Sequence, residues 1–205
     1  MSLQIGDSYR LPLRLGLLVF FTVIVQEAAV SQISIFGTSA DLTPLVVMSA
    51  GLLAGSIPGA ITGFAMGLLV DLMLFQTLGV TSLLFIGIGY WAGRLRELRD
   101  PAHGLVPMGM GAAATAFAGL GMALIQFLLG VNAPVSLLLL QQIFISVLVN
   151  TLISLPVYSA VRRVLSPALP EDPRRRRRRA YTTGGLSPLR ASGGSRRGPR
   201  PRPAR

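Results

Sequence analysis

The sequence predicts an all-α polytopic membrane protein. Six transmembrane helices form an integral membrane domain over residues 1–169, followed by a disordered, cytoplasmic Arg/Pro/Gly-rich tail over residues 170–205. Three observations carry this. Hydrophobic residues make up 51% of the 205 residues and charged residues only 13%, against roughly 25% charged in a soluble domain, and the mean hydropathy is +0.61. Glycine recurs every fourth residue at Gly51, Gly55, Gly59, Gly63 and Gly67, with Asp71 on the same step. All 19 basic residues are arginines, confined to a few clusters between the apolar runs and to the tail.

The glycine step organises the chain. Residues four apart share a helix face, so these glycines form a groove that lets a second backbone approach closely. A soluble helix would lose about 1 kcal/mol per glycine relative to alanine. A membrane helix tolerates them because its packing partner occupies the space left free.

Arg10 and Arg14 flank the start of the first apolar run, about Leu13 to Val30. It exceeds the apolar region of a secretory signal (about 7–15 residues) and no small-residue cleavage pattern follows, so it reads as a retained span. A loop without basic residues leads to Asp41. The second run, Leu42 to Ala54, covers about 20 Å against a hydrocarbon core of about 30 Å, which leaves a re-entrant segment and a short span as alternatives. Ser56-Ile57-Pro58 reads as a tight turn, and the third run, about Gly59 to Phe75, is the glycine-grooved helix. The fourth, about Gly79 to Gly93, ends in Tyr90-Trp91, a pair suited to an interfacial belt. Arg94, Arg96 and Arg99 follow directly. The fifth run is Leu105 to Leu129, Asn132-Ala133-Pro134 makes a turn, and the sixth run is Val135 to Val161, closed by Arg162-Arg163.

Charge decides the number of spans. With six spans and a cytoplasmic start, every arginine falls on the inner side, the positive-inside pattern without exception. Were Leu42–Ala54 not to cross, the Arg94–Arg99 cluster would lie outside. Six spans are therefore expected, the second short or locally thinning the bilayer. The net charge of +11 belongs to the tail: from Glu171 onward twelve arginines face two acids, whereas seven face six before it. Such a segment cannot bury a core. It is expected to contact anionic lipid or to act only as a topology signal, without specific nucleic-acid recognition.

Enzymatic chemistry has little to build on. One histidine, His103, and no cysteine cannot make a zinc site. No phosphate-cradling loop or nucleophile elbow is present. Gly87-x-Gly89-x-x-Ala92 matches a dinucleotide fingerprint only formally, because it lies inside an apolar run and not at a strand-to-helix turn. Neither an enzyme nor a cofactor is expected.

Folding six spans back and forth gathers Gln26, Glu27, Asp71, Gln126 and Gln141-Gln142 near the outer ends. Gln142, Ser146, Asn150 and Ser154 step by four down the sixth helix. Ionisable groups inside a span are candidate functional residues, with interfacial placement as the bland alternative for Glu27 and Asp71. Asp71, in register with the glycines, is expected to point along the packed groove toward Gln142, Gln126 or a partner's helix.

These residues also carry a resemblance. Asp41-Leu-Thr-Pro44-Leu, then Gly59-x3-Gly63-Phe-x2-Gly67-Leu-x2-Asp71-Leu, Leu78-Gly79 and Gly89-Tyr90-x2-Gly93-Arg94, with Asn150, Pro156 and Arg162-Arg163 in the last span, resemble the rod shape-determining protein MreD family. The resemblance covers about residues 10 to 165 and leaves the arginine-rich tail aside. It implies a non-enzymatic component of the bacterial cell-elongation machinery in the cytoplasmic (inner) membrane. Its implied partners are MreC, and through it MreB, RodA and a class B penicillin-binding protein. The residues expected to serve helix packing or partner contact are Gly59, Gly63, Gly67, Asp71, Glu27, Gln126, Gln142 and Asn150. The family is also similar in fold to the substrate-binding subunits of vitamin uptake transporters, which supplies a rival: an outer polar layer that binds a small molecule. The short, aromatic-free connections Thr77–Thr81 and Gly130–Pro134 favour the scaffold. A channel or proton-coupled carrier using Asp71 ranks last, because no opposing ionisable group lies at mid-membrane.

Overall fold

In the computed structural model the described residues form a bundle of six α-helices. The structure describes residues 10–30, 34–35, 38–98, 105–130 and 137–169. The expected turn at Asn132–Pro134, the loop with Arg99 and His103, and the tail after Leu169 lie outside the described residues.

The helices are α1 (Arg10–Val25), α2 (Leu42–Ala54), α3 (Ser56–Met73), α4 (Val80–Leu98), α5 (Leu105–Leu128) and α6 (Leu137–Leu165). The last turn of α1 widens into a π-helical turn, Gln26–Val30. Two short strands, Ser34–Ile35 and Thr38–Ser39, pair antiparallel before α2. Four helical stretches are long and apolar enough to cross a membrane: Arg10–Ala28, Ser56–Met73, Leu105–Leu128 and Leu137–Leu165. The protein is an integral membrane protein.

The short helix is the hub. Every residue of α2 from Thr43 to Leu53 is buried, and α2 packs against all five other helices. That is why it is apolar on every side. Its single serine, Ser49, returns its hydroxyl to the Leu45 carbonyl at 2.7 Å. The length problem posed by 13 residues has a physical answer here: a helix encased in protein does not need to match the thickness of the lipid.

Both ends of α2 are determined locally. Asp41 caps its start, its carboxylate accepting from the Thr43 backbone N–H at 3.0 Å and from the Thr43 hydroxyl at 2.5 Å. Gly55 ends it with φ of 108°, a conformation that favours glycine. The break therefore falls at Gly55, and Ser56-Ile57-Pro58, expected as a turn, is the first turn of α3. Proline is tolerated there because the first N–H groups of a helix lack intrahelical partners anyway. The missing cap on α3 comes from another helix. Glu97 near the end of α4 accepts from the Ser56 hydroxyl at 2.6 Å and from its N–H at 3.3 Å.

The glycine ladder lies against α4. A Cβ on Gly59 would stand 2.5 Å from the Gly89 carbonyl oxygen and 2.7 Å from Gly51 Cα. One on Gly63 would overlap the Phe85 carbonyl, and one on Gly67 would overlap the Ser82 backbone. The fit is mutual. Gly89 meets the Gly59 carbonyl, Gly93 meets the Ser56 backbone, and Gly51 on α2 would place a Cβ 2.5 Å from the Gly89 oxygen. Three backbones thus converge at Gly51, Gly59 and Gly89. The Gly87-x-Gly89-x-x-Ala92 pattern is part of this packing, with Ala92 fully buried.

The other seams use side chains. Gly111 of α5 faces Ser154 of α6, Gly119 faces Ile143, and Gly121 of α5 faces Leu84 of α4. The side chains of Leu45, Met48, Leu52, Met66 and Leu165 fill the centre, all buried. Tyr90 and Trp91 are exposed and meet edge to face, ring centroids 6.2 Å apart.

Candidate functional site

The six described arginines, Arg10, Arg14, Arg94, Arg96, Arg162 and Arg163, sit where α1 begins and where α4 and α6 end. The polar residues expected to form a layer collect at the opposite end of the bundle, in two tiers.

The inner tier is an amide clamp on the approach to α2. The Gln26 side chain donates to the Ala40 carbonyl at 3.0 Å and accepts from the Leu42 N–H at 2.9 Å. Asn150 accepts from the Asp41 N–H at 3.2 Å and donates to the Asp41 carbonyl at 3.1 Å. Its amide also donates to the Thr115 hydroxyl at 3.1 Å, and the Thr115 hydroxyl in turn donates to the Gly111 carbonyl at 2.9 Å. Two carboxamides from α6 and the end of α1 therefore grip three consecutive residues, Ala40, Asp41 and Leu42, where the hub helix begins. A carboxamide suits this task because it supplies donor and acceptor side by side. Gln26, Asn150 and Thr115 are all buried, so their polar atoms need these partners. The four-residue step on α6 that contains Asn150 faces the bundle: Ser154 below it is buried against Gly111, and Ser146 and Gln142 above it reach the second tier.

The outer tier is a cavity of about 610 Å³ bounded by residues from α1 to α6. Glu27, Asp41, Gln76, Gln126, Gln142 and Ser146 supply its polar wall. Val70, Leu84, Phe85, Met122 and Ile143 supply the apolar one. Among the described residues no arginine or histidine lines it. Burial raises the Asp41 carboxyl above its ordinary value, the Thr43 hydrogen bonds draw it back, and the charge of Glu27 adds to the rise. Thr81, buried on this wall, has a hydroxyl without a hydrogen-bond partner among the described residues.

Asp71 takes a different place. It is fully buried, and one carboxylate oxygen accepts from the Gly79 N–H at 2.7 Å. Its backbone carbonyl accepts from the Gln76 N–H at 3.0 Å. Asp71 thus ties down the α3–α4 connection, where Phe75 (φ 51°) and Gly79 (φ 94°) turn the chain. The other carboxylate oxygen has no partner among the described residues. Neither Gln126 nor Gln142, the expected internal partners, is bonded to it; both line the cavity.

A family model for the rod shape-determining protein MreD matches residues 9–164. The chain belongs to the MreD family. No curated protein and no solved structure matches it. The MreD match runs from just before α1 to the last residues of α6, so it contains the glycine seam, the clamp and the cavity. MreD membership gives the chain a role in determining rod shape.

One part of this site was not singled out from the sequence: Thr115 is a lone hydroxyl in an alanine-rich run, which is the only signal it gives. Gly89 and Gly93, quoted above for the family resemblance, repeat the four-residue step of α3, the signal for the partner ladder.

Proposed function

We propose that the chain is a non-enzymatic membrane scaffold of the bacterial cell-elongation (rod) complex, coupling MreC and MreB to peptidoglycan synthesis. The observation that carries this reading is the MreD match over the entire helical bundle. The bundle sits in the cytoplasmic membrane with six crossings and both termini inside. The reading of α2 as a crossing is supported by its position at the centre of the bundle, and that of α4 by its uncharged stretch Val80–Gly93. MreC is the direct partner; RodA and a class B penicillin-binding protein join in the larger assembly. The glycine-packed α3–α4 hairpin lies in close backbone contact with the α2 hub, which suits a part that holds others in place. The arginine-rich tail adds contact with anionic lipid, at about 1 kcal/mol per arginine near the surface, without specific nucleic-acid binding.

The test is depletion of the chromosomal copy followed by rescue with a tagged chain. Rod shape should return and MreC should co-purify. Rescue without any MreC capture or cross-link would overturn the partner assignment, and failure of the folded chain to restore shape would overturn the scaffold reading. The cavity favours a second reading, a small-molecule binding subunit of a transporter. A neighbouring gene for an energy-coupling ATPase would support it, whereas a neighbouring gene for a single-span protein with a periplasmic coiled coil supports the scaffold.

A further inference from the structure

The arginine end of the bundle holds a hollow of its own, a groove of about 230 Å³ where α2 and α4 end and α5 begins. Leu52, Leu95, Val106 and Met110 make its walls apolar, and Arg96 brings a guanidinium to them. Gly109 keeps the groove open. A Cβ there would meet nothing within 4 Å, whereas one on Gly111, two residues on, would press into Ser154. Arg96 is partly buried, and neither it nor Arg162 forms an ion pair among the described residues. Glu97, the neighbouring carboxylate, is already engaged by Ser56 and Arg94. The charges of Arg96 and Arg162 both reach the Tyr158 hydroxyl. The ends of α4 and α6 therefore gather two guanidiniums and a phenol beside the groove. Tyr90 and Trp91, exposed just before Arg96 on α4, form the kind of aromatic pair that sits at headgroup depth.

We propose that this groove seats one anionic phospholipid, its phosphate on Arg96 and Arg162 and one acyl chain along Leu52, Leu95 and Met110. The two ends of the ligand follow from the two halves of the site. A guanidinium is a planar fork of donors that matches phosphate oxygens, and the Tyr158 hydroxyl adds a donor. The rest of the groove is hydrocarbon and gains from an apolar body. A free phosphate would leave those walls uncovered, and a plain hydrocarbon would leave the guanidiniums unpaired. A zwitterionic headgroup brings an ammonium, which both arginines repel. Basic pockets between spans hold lipid headgroups in this way. The proposal requires only that this end of the bundle lie at a membrane surface. It calls on no protein partner, so its failure would leave the scaffold reading untouched. It also differs from lipid contact by the tail, which offers no groove to an acyl chain.

The full-length chain is purified in dodecyl maltoside and stripped of lipid. Dioleoyl phosphatidylglycerol, dioleoyl phosphatidylcholine and glycerol phosphate are then titrated, with bound lipid counted by native mass spectrometry and Tm read by thermal unfolding. Phosphatidylglycerol should bind and raise Tm, phosphatidylcholine should bind about tenfold more weakly, and glycerol phosphate, which has no chains, should not shift Tm. The tail also attracts phosphatidylglycerol, but it is the same in every variant, so the groove is read as the difference between variants. Arg96→Gln should weaken phosphatidylglycerol about tenfold and leave phosphatidylcholine unchanged. Arg162→Gln should act in the same direction, so the test survives if one variant fails to fold. Gly109→Leu places a side chain in the groove and should lose one bound phosphatidylglycerol while lipid-free Tm stays unchanged or rises, which separates a blocked groove from a damaged fold. Arg163→Gln, outside the cluster, should bind as the parent chain does. Equal binding of the two lipids would overturn the proposal. So would binding unchanged in Gly109→Leu, binding unchanged in both Arg96→Gln and Arg162→Gln, an equal loss in Arg163→Gln, or a Tm rise with glycerol phosphate as large as with the lipid.

Discussion

Gly63→Ala tests the glycine seam with one methyl group. The added Cβ would overlap the Phe85 carbonyl and come within 3.0 Å of the Ile86 nitrogen. These are backbone atoms of α4 and cannot rotate away, so the helices must separate. Ordinary contact begins at about 3.4 Å, and overpacking a close-packed interior costs about 1–3 kcal/mol. The intrinsic helix preference of alanine offsets about 1 kcal/mol at most. Gly16 in α1 is the internal control, because a Cβ there meets nothing within 4 Å. Gly16→Ala should leave Tm in detergent unchanged or slightly raised. Gly63→Ala should lower it by several degrees, taking about 2–4 °C per kcal/mol for a chain of this size. Gly63→Leu and Gly67→Leu should be worse again, because the longer side chain prises α3 from α4 along a whole turn. Scanning calorimetry or a thermal-shift assay on all four variants reads the result. Equal Tm for Gly16→Ala and Gly63→Ala would refute close packing of α3 on α4.

Three further outcomes follow from the same contacts. Asn150→Leu leaves the Asp41 N–H and carbonyl without their partner; in a membrane interior this should cost about 1–3 kcal/mol, read as a lowered Tm and faster proteolysis between α1 and α2. Asp71→Asn retains an acceptor for the Gly79 N–H and should largely keep stability and MreC capture, whereas Asp71→Leu should weaken both; equal loss in the two would mean that Asp71 acts by titration, because an amide cannot titrate. Glu97 is held below its ordinary value of 4.5 chiefly by the Ser56 hydroxyl, then by its N–H, with Arg94 also contributing. A lowered folded value means that its stabilisation is present above that ordinary value and is lost as the pH falls through the lowered one; Glu97→Ala should abolish this acid-dependent fall in Tm, and an unchanged fall would contradict the inter-helix cap.

Much of this arrangement was legible in the sequence because membrane packing leaves periodic marks. The step from Gly51 to Gly67 announces a close helix contact, and the step from Gln142 to Ser154 announces a face turned inward. The break between α2 and α3 was legible as a break, though not its position. Proline at Pro58 is the louder signal, but it fits a first helical turn, and the unusual φ belongs to Gly55. The hub was hidden for a related reason. A run of 13 apolar residues states that a helix is buried, not whether lipid or protein surrounds it, and only the tertiary contacts of α2 distinguish them. Asp71 shows the limit of face arguments. Its register with the glycines places it in the seam, yet its partner is a backbone N–H eight residues ahead, a local loop contact that helical periodicity does not encode.

The proposed six-crossing arrangement, part of the scaffold reading, turns on whether α2 crosses the bilayer. Single cysteines introduced as Ser39→Cys, before α2, and His103→Cys, between α4 and α5, can be treated in intact cells with a membrane-impermeant thiol reagent; the chain has no cysteine of its own. Ser39→Cys should label in intact cells, and His103→Cys only after the membrane is permeabilised. Labelling of His103→Cys in intact cells would place the Arg94–Arg99 cluster outside and contradict the arrangement.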